Sequence, residues 1–227
     1  MKYIVVGLGY FGGTLASTLT RLGHEVIGID NREDKVDEYK ESISIVMVMD
    51  TTIPNAVKSL PLDDIDAVIV AIGEDIGSSI LTLTILKNFN VKRIIGRAIT
   101  PIHREILQQI GITEIIQPEE DSALKVSSIL QIENAKSVME LNEDNVIAEI
   151  AIPAKYIGHS LETINLTERF SVKVIAVKIP QKDKLLDIFN LRDYKIDFDA
   201  NIERPIREDD ILVIAGHIND IKRLNES

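Results

Sequence analysis

The chain has 227 residues with 36 Asp and Glu against 25 Lys and Arg, a formal charge of −11, and neither cysteine nor tryptophan. That excludes a disulfide framework, a thiolate metal site and a cysteine nucleophile, while an acidic chain with only five Phe and five Tyr lacks the basic field and stacking aromatics of nucleic-acid binding. At 45% hydrophobic and 27% charged it reads as an ordinary soluble globular protein.

The first segment, residues 3–20, is free of charge, yet four glycines (Gly7, Gly9, Gly12, Gly13) and the hydroxyls of Thr14, Ser17, Thr18 and Thr20 interrupt it. No basic region or small-residue cleavage site frames it, so it reads as strand, glycine turn and helix rather than signal peptide or membrane span, and the chain as cytoplasmic. Short β-branched runs then alternate with amphipathic segments. Strands are predicted at 3–6, 25–29, 44–48, 67–71, 93–95 and 114–116, with helices beginning near Gly12, Arg32, Thr52, Gly77 and Pro101. Consecutive βαβ units of this kind imply an α/β, Rossmann-like, doubly wound parallel sheet.

After Pro118 the spacing predicts one helix over 119–134, with Leu124, Ser128, Ile129 and Ile132 on a common face. Beyond it the period changes. Strands at 146–152, 172–177 and 211–215, with short helical pieces over 161–166 and 218–224, describe a second, smaller α+β domain. The expected domains are therefore 1–134 and 135–227, and both are acidic.

Gly7-x-Gly9-x-x-Gly12 follows the first strand and opens the first helix, and Asp30 ends the second strand 18 residues after the third glycine. Glycines at that turn let backbone N–H groups approach a diphosphate, the helix N-terminus adds partial positive charge, and an acid at that distance accepts hydrogen bonds from ribose hydroxyls. Asp30 disfavours a 2′-phosphate, with Arg32 nearby leaving NADP open. Further candidates sit at the carboxyl ends of strands, where open α/β sheets bind ligands: Asp50 and Thr51, Ile72 to Glu74 including Gly73, and Arg97 with Ala98. For Asp50 and Glu74 the alternative is an N-cap or a solvated loop carboxylate. His103 either donates to a phosphate or is an exposed surface residue. The acidic clusters at 63–66, 119–121 and 208–210 read as solvated faces, except that Glu119, beginning a helix, is placed to reach a nucleotide or its metal. No Tyr-x-x-x-Lys pair and no histidine in a catalytic setting accompanies the motif. The expectation is a bound nucleotide that is not turned over, hence no enzyme.

Across Tyr3 to Gly13, Leu22 to Val26, Asp30, Val70 to Gly73, Lys92 to Ala98, Ile110 to Ile112, Ile115 to Glu119, Ile175 to Lys178 and Ile211 to His217, the chain resembles the regulatory subunits of Trk/Ktr-type bacterial potassium uptake systems. These are built from an RCK N-terminal and an RCK C-terminal domain. The resemblance implies a cytoplasmic homo-oligomer, dimers assembling into an octameric ring, that docks on a membrane potassium channel or transporter and gates it by exchanging ATP for ADP or by binding NAD(H). It carries the ligand over Gly7, Gly9 and Gly12, places Asp30, Asn31 and Arg32 at the ribose and base, and completes the site with Asp50, Thr51, Ile72, Gly73, Glu74, Arg97, Ala98 and His103. Glu119 matches an acidic position associated with nucleotide and a divalent cation at the subunit contact. Tyr10 stands where the Ktr-type regulators carry an arginine that reaches the γ-phosphate. Some RCK C-terminal domains take cyclic di-AMP, and Arg169 lies in the corresponding region. An acidic surface is repelled by anionic lipid, so membrane association is expected through the transporter rather than by direct lipid binding. The alternatives are a small NAD-dependent oxidoreductase and a regulator of a potassium/proton antiporter.

Overall fold

The computed structural model describes residues 1–181, 194–199 and 203–226. The described backbone packs as two compact units, Met1–Glu120 and Asp121–Ser227.

The first unit is built from β1 (Lys2–Val6), α1 (Tyr10–Arg21), β2 (Glu25–Asp30), α2 (Glu33–Tyr39), β3 (Ile45–Val48), α3 (Pro54–Val57), β4 (Ala67–Val70), α4 (Ile76–Asn88), β5 (Ile94–Arg97), α5 (Pro101–Gln109) and β6 (Glu114–Ile116). Its strands are short runs of Val and Ile because both faces are covered: β4 is buried along its whole length. They form one sheet in the order β3-β2-β1-β4-β5-β6, with every pair parallel. One core packs Ile4, Val6, Ile29, Val68, Val70, Leu83, Leu86 and Leu107 on one face. The other packs Val5, Leu8, Ala16, Val26 and Ile69. Strand order reverses between β1 and β4, and the helices leaving β1 and β4 depart to opposite cores, so a crevice opens beyond the carboxyl ends of those strands. The doubly wound sheet is as expected. The first helix starts at Tyr10 rather than near Gly12, because Gly9 is extended (φ −64°, ψ −178°) and serves as its N-cap.

Helix α6 (Pro118–Leu130) ends four residues before its expected limit. Ala135–Glu140 forms a strand, β7, paired with β8 (Asn145–Ala151). The remaining described elements are α7 (Leu161–Ile164), α8 (Leu166–Phe170), β9 (Lys173–Pro180), β10 (Tyr194–Asp197), β11 (Ile211–His217) and α9 (Ile218–Glu226). They make an antiparallel sheet ordered β10-β9-β11-β8-β7, with Val146, Ala148, Ile150, Leu212, Ile214, Ile221 and Leu224 in its core. The chain divides between Glu120 and Asp121, and Ile132, with Ile129 packed beside it, belongs to the second core.

Strand β7 has no counterpart in the sequence reading, and β10 answers to one half of an added hairpin that the apolar runs 185–189 and 196–198 suggest. Both are sheet edges, where one neighbour suffices and polar residues are tolerated. The run 185–189, the other half of the hairpin suggested by the sequence, lies outside the described residues, while Tyr194–Asp197 pairs antiparallel with β9. Among the described residues, no helix is long and apolar enough to cross a membrane.

Candidate functional site

The crevice of the first unit is a cleft of about 530 Å³, within the size range of small-molecule sites. Its floor is the turn between β1 and α1. Gly7 sits at φ +92°, a conformation costly for any side chain, and donates its N–H to the Ile29 carbonyl at 2.7 Å. Gly9 then leads into α1, which has neither a capping side chain nor an acid in its first turn. The first i→i−4 bond is Gly13 N–H to Gly9 O at 2.8 Å. The N–H groups of Tyr10, Phe11 and Gly12 precede it and leave the helix end as donors with partial positive charge. A Cβ on Gly9 would meet no heavy atom within 4 Å, so the space above the turn is open. These features fit a diphosphate.

Asp30, buried to 7% exposure, braces that turn. Its Oδ2 accepts the Leu8 N–H at 2.7 Å and its Oδ1 the Arg32 N–H at 2.9 Å. Two oxygens offer about four acceptor sites, so capacity for ribose hydroxyls remains. Arg32 lies between two carboxylates, with Nε 3.7 Å from Asp30 and Nη1 3.3 Å from Glu74. Its charge is compensated, which works against a 2′-phosphate.

At the far side, Arg97 donates from Nη1 to the Ala71 carbonyl at 3.2 Å, pairs through Nη2 with Glu119, and lies 5.5 Å from the Phe11 ring centroid. A Cβ on Gly73 would come within 2.7 Å of the same guanidinium. Asp50 accepts from the Thr52 backbone at 2.9 Å and hydroxyl at 2.6 Å, which is the loop-capping role weighed for it. Buried Thr51 bonds Thr82 of α4 at 2.9 Å. Asp75 caps α4, accepting from Gly77 N–H and Ser78 Oγ, and the Ser78 bond holds its carboxyl below the usual range.

Thirteen of the expected residues thus line one cleft: Gly7, Gly9, Tyr10, Asp30, Asn31, Arg32, Asp50, Thr51, Ile72, Gly73, Glu74, Arg97 and Glu119. Gly12, Ala98 and His103 do not line it. Gly12 underlies the turn, where a Cβ would overlap the Gly7 carbonyl oxygen, and Ala98 is part of the core. The reading of His103 as an exposed residue is corrected: it is fully buried. Its Nδ1 accepts from Ile99 N–H at 3.5 Å and its Nε2 has no partner. The sequence reading missed Phe11, Asp75 and Ser78; the N-cap pattern Asp75-x-x-Ser78 was the available signal. Among the described residues, no three His, Asp or Glu are grouped to hold a metal.

Burial pushes the His103 imidazole below its ordinary pKa of 6.5. The unfolded chain then binds the proton more readily, and stability falls as pH drops from about 6.5 through the lowered folded-state value, with a slope of at most about 1.4 kcal/mol per pH unit. Urea unfolding across that range should show a shallower pH dependence for His103→Asn than for the wild type.

The family model for the TrkA-N domain matches residues 3–118. The chain is 32% identical over 225 residues to the Ktr system potassium uptake protein C of Bacillus subtilis (strain 168), covering 99% of this chain and 96% of the relative. Among solved structures, the GsuK RCK domain superposes with a TM-score of 0.65 at 14% identity, over 100% of this chain and 48% of the other. The GsuK channel bound to NAD gives 0.63 at 14%, over 98% and 39%. The chain therefore spans about half or less of those solved chains, and the likeness to them is one of fold.

Proposed function

The chain belongs to the TrkA-N domain family and is similar along nearly its whole length to a Ktr system potassium uptake protein, and from that premise we propose that it is the nucleotide-responsive regulatory subunit of a Trk/Ktr-type potassium uptake system. The carrying observation is a cleft with an uncapped helix N-terminus on one wall and a braced, buried Asp30 on the next, in a chain that matches a potassium uptake protein along nearly its whole length.

In this reading the N–H groups of Tyr10, Phe11 and Gly12 hold a diphosphate and Asp30 holds the adenosine ribose. Arg32 and Glu74 border the ribose, and Arg97 supplies the side-chain cation. The bound nucleotide, ATP, ADP or NAD(H), contributes its phosphate charge, and the protein responds without chemistry. A ligand shifts a two-state protein only through contacts that differ between the states, so gating requires ligands that engage this cleft differently. The subunit would act from the cytoplasmic side as a homo-oligomeric ring on a membrane potassium transporter. Tyr10, 90% exposed at the rim, brings no charge to a γ-phosphate, which favours diphosphate ligands over ATP.

Potassium flux through proteoliposomes containing the membrane subunit tests this. Flux should change when the chain is added and change again between nucleotides. Identical flux with and without the chain would sink the reading, and steady NADH consumption with a defined substrate would favour the oxidoreductase alternative.

A further inference from the structure

The two partners of the Arg97–Glu119 pair are not equally free to leave it. The Arg97 side chain is 15% exposed and that of Glu119 63%. The guanidinium is fixed by the Ala71 carbonyl, by the Phe11 ring and by the close backbone of Gly73, and its Nε is buried without an acceptor. A mostly buried cation is better off with an anionic or polar partner, whereas an exposed carboxylate moves into water at little cost. Phe11 is also a first-turn residue of α1, so Arg97 and the open helix end face the same part of the cleft.

We propose that Glu119 is a built-in competitor for the ligand's phosphate: its carboxylate occupies the Arg97 guanidinium in the free protein, and nucleotide binding exchanges it for a phosphate oxygen. Carboxylate and phosphate offer arginine the same acceptor geometry, so the exchange leaves Arg97 satisfied throughout. Glu119 lies in the first turn of α6, and the chain passes from the first unit to the second within that helix. The exchange thus frees the start of the element that joins the two units. This rests on the nucleotide reading of the same cleft.

A double-mutant cycle by calorimetric titration with ADP in metal-free buffer tests it, using the full chain as wild type, Glu119→Gln, Arg97→Gln and the double variant. Glu119→Gln should tighten ADP roughly three- to tenfold. The same substitution should change affinity less than about twofold when Arg97 is already replaced. Glu120→Gln removes the same charge from a carboxylate that contacts Gln117 rather than Arg97 and should likewise have little effect. Should Arg97→Gln not fold, Arg97→Lys closes the cycle, because an ammonium lacks the bidentate fork. Equal tightening in both backgrounds, or weaker ADP binding by Glu119→Gln, overturns the proposal while leaving the nucleotide reading standing. No ADP binding by any of the proteins overturns both.

Discussion

Gly9→Val should weaken nucleotide binding at least about 100-fold while the protein still folds, its melting temperature falling only by the small cost of a poorer N-cap. Gly9 has ordinary extended dihedrals and nothing within 4 Å of the position a Cβ would take, so a branched side chain can be attached there without a backbone or Cβ clash. The branched side chain then stands where the first-turn N–H groups of α1 would meet a diphosphate, and the backbone can no longer be approached. Loss of that approach should cost at least about 100-fold in affinity, or roughly 2.7 kcal/mol. Thermal unfolding and calorimetric titration of the same preparation check both halves. A valine variant that binds as the wild type does would place the ligand elsewhere.

Gly12→Ala has a different signature: stability and binding fall together. The added methyl group would overlap the Gly7 carbonyl oxygen and come within 2.9 Å of the Ala71 side chain. The helix must therefore move off the sheet. Alanine in a helix ordinarily gains up to about 1 kcal/mol over glycine, and this contact reverses the sign. Overpacking of this kind costs about 1–3 kcal/mol, equivalent to a melting temperature lower by about 5–10 °C for a unit of this size. Because the N–H donors move with the helix, nucleotide affinity should fall at least about tenfold. An unchanged melting temperature would mean that α1 and β1 are not held as close as the structure has them.

These two glycines show how much of the site was legible in the sequence. The motif, the Val and Ile runs and the distance to Asp30 determine the first sheet and its crevice, because parallel strands buried on both faces leave little freedom in composition. What Asp30 does first was not legible. One oxygen holds Leu8, a tertiary contact across 22 residues that no local pattern encodes, while the other makes a local turn bond to Arg32 two residues on. The burial of His103 was not legible for a related reason: Pro101 and Thr100 announce a helix start, but the burial follows from Leu107, one turn later on the same face and fully buried. Ile102, beside it, is exposed, so apolar character alone gives the wrong face. The strand β7 escaped because edge strands need little hydrophobic alternation. Arg97 and Glu119 were each placed at the rim, yet their pairing depends on how β5 and α6 come together, which is set by packing rather than by spacing.

The regulatory reading stands on one physical claim, that this cleft binds a nucleotide through the open end of α1. In that cleft the uncapped N–H groups of α1 stand near the half-buried Arg97. Calorimetric titration of the wild-type chain with ATP, ADP, NAD, NADH and NADPH tests it most directly. The account predicts saturable binding of at least one adenine nucleotide with a diphosphate, weaker binding of NADPH than of NADH, and loss of the signal in Gly9→Val. Absence of binding by all five, or binding that survives Gly9→Val, would contradict it.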